Sequence, residues 1–193
     1  MHPSDHWLTG RPDQVVNSAG VTLHRATPED VGELVDSVNA SLDELAPWMP
    51  WAQVPATPES IGSFLAQADL SWEAGGEFQF AIRSGDTGSA LLGFCGLHDR
   101  ISPGGLEIGY WVRTDCTGRG VATAAAAGLT RAALAMDGVS RVEIHCDAAN
   151  LASAAIPPKL GFHLERTDDV IATSPGSTGR HLVWVYRPEA GLS

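Results

Sequence analysis

One α/β domain built on a mixed sheet is what this sequence predicts, and three observations predict it. Apolar residues alternate with period two in seven short stretches and recur with period 3.6 in the longer ones between them. The stretches follow one another as β-α-α-β-β-β-α-β-α-β-β, with no internal repeat and no linker that would divide the chain. The length, 193 residues, supports one substantial core and is short for two.

Residues 1–18 are polar, carry Pro3 and Pro12, and read as an N-terminal arm. Val21-Thr22-Leu23-His24-Arg25 alternates like a half-buried strand. Thr27-Pro28-Glu29-Asp30 then announces a helix: a capping hydroxyl, a proline suited to the first turn, and two acids at the positive end of the dipole. Val31, Leu34, Val35 and Val38 give it a buried stripe. Thr57-Pro58-Glu59-Ser60 repeats the signal ahead of Ile61, Phe64, Leu65 and Ala68. Between these helices runs LDELAPWMPWAQVPA, a proline-bounded loop. After Gly75-Gly76 the period changes to two, giving strands at 78–83, 90–97 and 106–113, with SGDTGS and RISPGG as the turns. Residues 121–136 are alanine-rich and helical. Residues 141–147 alternate again, 150–159 begin as a short helix, and 161–166 and 181–187 close the sheet. The domain is expected over 19–188, followed by a tail at 189–193.

Charge narrows the partners. Twelve Lys+Arg against 23 Asp+Glu leave −11, which argues against nucleic acid and anionic lipid, since such binding depends on clustered cations. A cationic partner such as an amine or a basic peptide remains open. A hydrophobic share of 44% with 18% charged residues is that of a globular chain. Cys95, Cys116 and Cys146 are odd in number and lack paired spacing, so neither a disulfide framework nor a metal site is expected. No apolar run reaches the ~20 residues of a membrane span, and MHPSDHWLTGRPDQ lacks a signal-peptide pattern. A cytoplasmic setting is the expectation.

The stretch EIGYWVRTDCTGRGVATAAAAGL carries the chemistry. A strand ends near Arg113, a glycine turn follows at Thr117-Gly118-Arg119-Gly120-Val121-Ala122, and a long helix leaves it. Glycines let backbone approach a phosphate, and the first free N–H groups of the helix point at it. Arg119 adds a charge. The pattern lacks GxGxxG with a ribose-binding acid and lacks GK[ST], so the dinucleotide and P-loop motifs are not present. A tight turn without a ligand, or a different nucleotide binder using the same turn, stays open at this point.

Thirty residues beyond Gly120 comes the second piece, Asn150-Leu151-Ala152-Ser153, then Lys159-Leu160-Gly161-Phe162. Together the two pieces resemble the GNAT superfamily of acyl-CoA-dependent N-acyltransferases. Glu107-Ile108-Gly109-Tyr110-Trp111-Val112, the early Leu45-x-x-Trp48-Met49-Pro50-Trp51 and the KLGF ending are similar to its RimJ/RimL branch of ribosomal-protein N-terminal acetyltransferases. The resemblance spans about residues 20–187. It implies a mostly antiparallel sheet of six to seven strands, flanked by about four helices and splayed between 106–113 and 141–147. Two departures stand out: Asp115 replaces the Gln/Arg of the glycine motif, and Pro157 occupies the position where many relatives carry a tyrosine acid.

The resemblance also implies roles. An amine attacks the thioester carbonyl of acetyl-CoA directly, through a tetrahedral intermediate. Thr117, Gly118, Arg119, Gly120, Val121 and Ala122 bind the diphosphate, and Lys159 belongs to the same donor site. Trp111, Val112 and Arg113 supply backbone donors to the thioester oxygen and the pantetheine, and Asn150 ties to the pantetheine. The base is Glu107, partly desolvated beside Trp111 and Gly109, or Glu143 or His145; an Arg-paired rim carboxylate is the alternative for Glu107. Ser153 is the best hydroxyl for the departing sulfur, with a helix cap as its plainer role. Trp48, Met49 and Trp51, with Glu107, form the acceptor side. The partners are acyl-CoA and an amine, either a peptide N-terminus or a small molecule, and a homodimer follows by analogy. A CoA-binding module without turnover is the alternative function.

Overall fold

The computed structural model describes residues 8, 10–85 and 90–188. Most of the SGDTGS turn, the tail and the start of the arm lie outside the described residues. In chain order the elements are β1 (Val15–Ser18), β2 (Val21–Arg25), α1 (Val31–Asn39), α2 (Leu42–Leu45), α3 (Pro58–Ala74), β3 (Glu77–Ser84), β4 (Leu91–His98), β5 (Gly105–Val112), α4 (Val121–Leu134), β6 (Arg141–Asp147), α5 (Leu151–Ala154), β7 (His163–Asp169) and β8 (Arg180–Tyr186). Short 3-10 turns at 28–30, 114–116 and 157–160 join them.

The strands form one sheet in the order β1-β2-β3-β4-β5-β6-β8-β7. It has eight strands rather than six or seven. The extra one is β1, in the segment read as an arm: Val16 lies opposite Leu23 and Ser18 opposite Val21. Four residues, VVNS, are too few to show alternation, and the hairpin signal is reduced to Ala19-Gly20, both at positive φ. Leu8 is also buried against the main core. The fifth helix, α2, is a single turn hidden in the proline-bounded loop.

Each face of the sheet has its own apolar layer. Alternation puts Leu97, Leu106, Ile108, Val142 and Ile144 under α4, where Ala125, Ala126, Leu129 and Ala133 are fully buried. The other face packs Ala81, Leu91 and Phe94 against Leu34 of α1 and Leu65 of α3. The capping signals hold: Thr57 accepts from Ser60 N at 3.1 Å, and the Ser60 hydroxyl accepts from Thr57 N at 3.0 Å.

One junction differs from the rest. β5 and β6 are the parallel pair, and they stay in register for three rungs, Gly105–Arg141, Leu106–Val142 and Glu107–Glu143. Beyond Glu107 they part, as the resemblance implied, and the gap positions the site.

Candidate active site

At one mouth of the gap α4 begins. Gly118 and Gly120 take φ of +70° and +79°, where side chains are disfavoured, and a Cβ on either would meet nothing within 4 Å. Among the described residues, the amides of Gly118 through Thr123 donate to no protein acceptor; pairing resumes at Ala124, whose N–H reaches Gly120 O at 2.9 Å. Free donors at the positive end of a 14-residue helix, opening onto empty space, fit a diphosphate. Arg119 is exposed beside them, and Lys159 is exposed on the 157–160 turn.

Two expected donor-site residues have their side chains engaged within the protein. Thr117 donates both its N–H and its hydroxyl to Thr114 O, at 3.3 and 2.8 Å, so its donors are engaged within the turn. The Arg113 guanidinium is bound to Asp115 at 2.9 and 3.1 Å and to Leu91 O at 3.2 Å. With the Cys116 thiol and Arg113 both bonded to it, the Asp115 carboxyl lies below its ordinary value, and its charge is matched locally. The departure from the family motif is thereby compensated.

Backbone alternation settles which β5 amides face the gap. Arg113 N donates to Leu92 O of the β4 edge at 2.9 Å, so residues 111 and 113 point their amides at β4. Tyr110 and Val112 therefore turn theirs toward the missing β6 partner. Of the three expected backbone donors, Val112 has the open direction, and Tyr110 joins it.

The gap opens into a cleft of about 1140 Å³ that passes between the strands and reaches both faces of the sheet. On the α5 side, Tyr110 Oη lies 3.2 Å from Ser153 Oγ. Burial pushes the Tyr110 phenol up to about 12 against the lowering effect of the Ser153 hydroxyl, so it keeps its proton at neutral pH. Asn150 Oδ1 accepts from Ser153 N at 3.1 Å and caps α5, which leaves its side-chain NH2 for a ligand. Pro157 is buried and opens the 157–160 turn. Tyr110 was not among the expected acids, because its alternation partner in sequence is the α4 core; only the splay exposes it.

On the opposite face, charged groups converge at the last paired rung. Arg100 grips Glu107 at 2.8 and 2.6 Å, Arg141 donates to Glu143 at 2.8 Å, and His145 stands between the carboxylates, with Nε2 2.8 Å from Glu143 and Nδ1 3.6 Å from Glu107. Burial pushes the Glu107 carboxyl up, but Arg100 on both oxygens, with His145 and His98, outweighs it and holds it below the ordinary value. Glu143 is likewise lowered, its burial offset by Arg141 and His145. The expected rise in Glu107 is therefore corrected: the sequence shows Trp111 and Gly109 beside it and cannot show Arg100 folding back from the loop.

The three residues read as an outer lip lie together at the cleft. Trp48 and Met49 are half-buried and Trp51 is 50% exposed, and all three line the cleft. Trp51 packs on Trp111 at 6.3 Å between ring centres, which puts the Trp111 ring on the same side of the sheet as this lip. The lip is tied down by Asn39, whose side chain bonds both Ala56 N and Ala56 O, at 2.7 and 3.0 Å.

A helix start whose free amides fit a diphosphate, beside strands that part after three rungs, matches the plan that the sequence resemblance implied. The chain belongs to the GNAT acetyltransferases: the model described as Acetyltransferase (GNAT) domain matches residues 21–163. It is accordingly an N-acetyltransferase with acetyl-CoA as cosubstrate. Over 149 residues it is 26% identical to a protein of Bacillus subtilis (strain 168) with the provisional name ribosomal N-acetyltransferase YdaF, covering 74% of this chain and 77% of that one. Two solved structures share the fold. Mycobacterium smegmatis RimJ in complex with CoA-disulfide superposes with a TM-score of 0.82 at 23% identity, covering 94% of this chain and 90% of its own. Microcin C7 self-immunity acetyltransferase MccE, in complex with acetyl-CoA and AMP, gives 0.80 at 20% identity, covering 95% and 100%. Among the described residues no helix is long and apolar enough to cross a membrane, and no cluster of three His, Cys, Asp or Glu is arranged to hold a metal.

Proposed function

We propose that this chain acetylates the free α-amine of a protein or peptide N-terminus. The observation that carries the reading is the His145 cluster at the apex of the splay, where an amine entering from the α1–α3 face meets carboxylates on both sides of an imidazole. The relative's name, with its ribosomal substrate, supports the same class of acceptor.

Acetyl-CoA supplies the acyl group as a thioester open to direct attack by the amine. The Gly118–Thr123 amides and Arg119 bind its diphosphate, and the Tyr110 and Val112 amides orient the acyl end and stabilise charge developing on oxygen. Glu107 and Glu143 attract the acceptor ammonium. Both have lowered proton affinity, and a weak base removes protons poorly, so His145 takes the proton. Tyr110 Oη, bonded to Ser153, holds the proton that the departing sulfur requires. Three buried, unpaired cysteines are in keeping with a reducing, cytoplasmic setting.

Thiol release from acetyl-CoA, followed with free N-terminal peptides and with small amines, tests this. Turnover with peptides and little with small amines is expected; the opposite ranking overturns the acceptor class.

A further inference from the structure

We propose that His98 is a second contact for the acceptor: its Nε2 accepts a hydrogen bond from the N–H of the peptide's second residue and fixes the chain beyond the reacting amine. The proposal rests on the peptide-acceptor reading above and deepens it.

Cross-strand register sets four titratable side chains in one row on the α1–α3 face: Glu77 opposite His98, His98 opposite Glu107, and Glu107 opposite Glu143. The two inner carboxylates belong to the His145 cluster; the outer pair, Glu77 and His98, has no part in the transfer chemistry. The His98 side chain is 13% exposed, and its buried Nδ1 makes no aligned hydrogen bond but lies 3.3 Å from Glu77 Oε1. A lone pair there would face a carboxylate, so Nδ1 carries the proton, and in the neutral ring Nε2 is left as an acceptor. The Glu77 carboxyl, lowered chiefly by this imidazole, stays charged and holds that tautomer. His98 lines the cleft, and its Nε2 has no protein partner among the described residues.

Glycine lets the ring lie where it does. A Cβ on Gly109 would stand 3.1 Å from Nε2, and one on Gly96, directly opposite Gly109, 2.5 Å from Gln79 Oε1. Two adjacent strands thus carry a shallow trough, floored by the polar ends of His98 and Gln79, between the charged row and the apolar pair of Phe94 and Trp111. Strand glycines mark places where another backbone can approach closely, so the donor this trough receives is a main-chain N–H. The span agrees. At the last paired rung β4 and β6 are two strand spacings apart, roughly 9–10 Å. A hydrogen bond at each end, plus the ~3.5 Å from an α-amine nitrogen to the next amide nitrogen, covers that distance. A small amine with one donor does not.

The test uses two hexapeptides with a free N-terminal alanine that differ by one methyl: alanine or N-methylalanine as the second residue. Binding is read by the fluorescence of the cleft tryptophans, and steady-state kinetics by thiol release from acetyl-CoA. For the wild type, methylation raises the peptide KM and Kd about fivefold, the loss of one hydrogen bond. His98→Phe raises them about fivefold for the parent peptide and no further for the methylated one, because the pair is already broken, and leaves the acetyl-CoA KM unmoved. His98→Gln, whose amide oxygen accepts in place of Nε2, recovers part of the loss. Gly109→Ala crowds Nε2 and weakens the parent peptide in the same way, with the melting temperature confirming a folded chain in each variant. Equal wild-type affinity for the two peptides, or a methylation penalty that survives in His98→Phe, overturns this proposal alone. No binding of either peptide overturns the peptide-acceptor reading and the proposal together. The expected binding pattern without turnover sinks the transfer reading and leaves the His98 contact standing.

Discussion

At the proposed donor mouth the groups on offer are main-chain amides, Gly118 to Thr123, aimed by a helix and two left-handed glycines; at the proposed acceptor mouth they are side chains, Glu107, His145 and Glu143, aimed by one another and by Arg100 and Arg141. The first arrangement does not depend on which side chains surround it, as Asp115 illustrates: an acid stands where the family motif has Gln or Arg, Arg113 neutralises it, and the backbone turn is undisturbed. The second changes with every substitution. A fold that must bind one donor and accept many acceptors benefits from that division, with the constant task assigned to backbone and the variable one to side chains and loops.

Removing the imidazole breaks the comparison most strongly. His145→Ala is expected to lower kcat by about 10²–10⁴, the usual contribution of a positioned base, with the acetyl-CoA KM unmoved. A kcat within a few-fold of wild type would mean that the acceptor mouth works by binding alone. Next is the cradle. Gly120→Val forces a β-branched residue into the left-handed region, at a strain of roughly 1–2 kcal/mol, and places a side chain where the diphosphate approaches. CoA affinity by calorimetry is expected to fall about tenfold, while kcat at saturating donor stays close to wild type. Together the two variants separate the mouths kinetically.

This division also governs what the sequence made legible. Gly118-Arg119-Gly120 ahead of an alanine-rich helix announces the cradle because its function is local: a turn, two positive φ values and a helix start occur within six residues. Most elements were readable for the same reason, since alternation and capping are short-range. The acceptor mouth is assembled from contacts between distant positions. Glu107 was legible as a strand carboxylate, but its ion pair with Arg100 depends on how the 99–104 loop turns back. Tyr110 reads as a core residue until β6 diverges from its strand. Ser177 and Asp147 are 30 residues apart, and nothing in TSPGST or CDAAN announces that they are hydrogen-bonded. Strand β1 was missed on the simpler ground that four residues contain too little pattern.

The smallest effect follows from titration, because the acceptor mouth carries acids and the donor mouth's amides do not titrate. Burial pushes the Asp147 carboxyl up, but the Ala149 amide, the Ser177 and Thr178 hydroxyls and the Thr178 amide outweigh it and bring it to about 2, against an ordinary 3.8. A carboxyl whose pKa is lower in the folded chain adds stability that is fully present above its unfolded value and lost as pH falls through the folded one. For Asp147 that window runs from about pH 4 down to about pH 2, with a slope of at most about 1.4 kcal/mol per pH unit from one group. Glu107 and Glu143, also lowered, act with the same sign. Chemical denaturation at pH 7, 4, 3 and 2.5 is expected to show the wild type losing stability across this range. Asp147→Asn, which has no proton to gain, is expected to start lower at pH 7 and to fall less steeply below pH 4. Parallel curves for the two proteins would show that the Asp147 charge contributes nothing to holding the loop between β7 and β8, and that its hydrogen bonds to Ser177 and Thr178 alone do so.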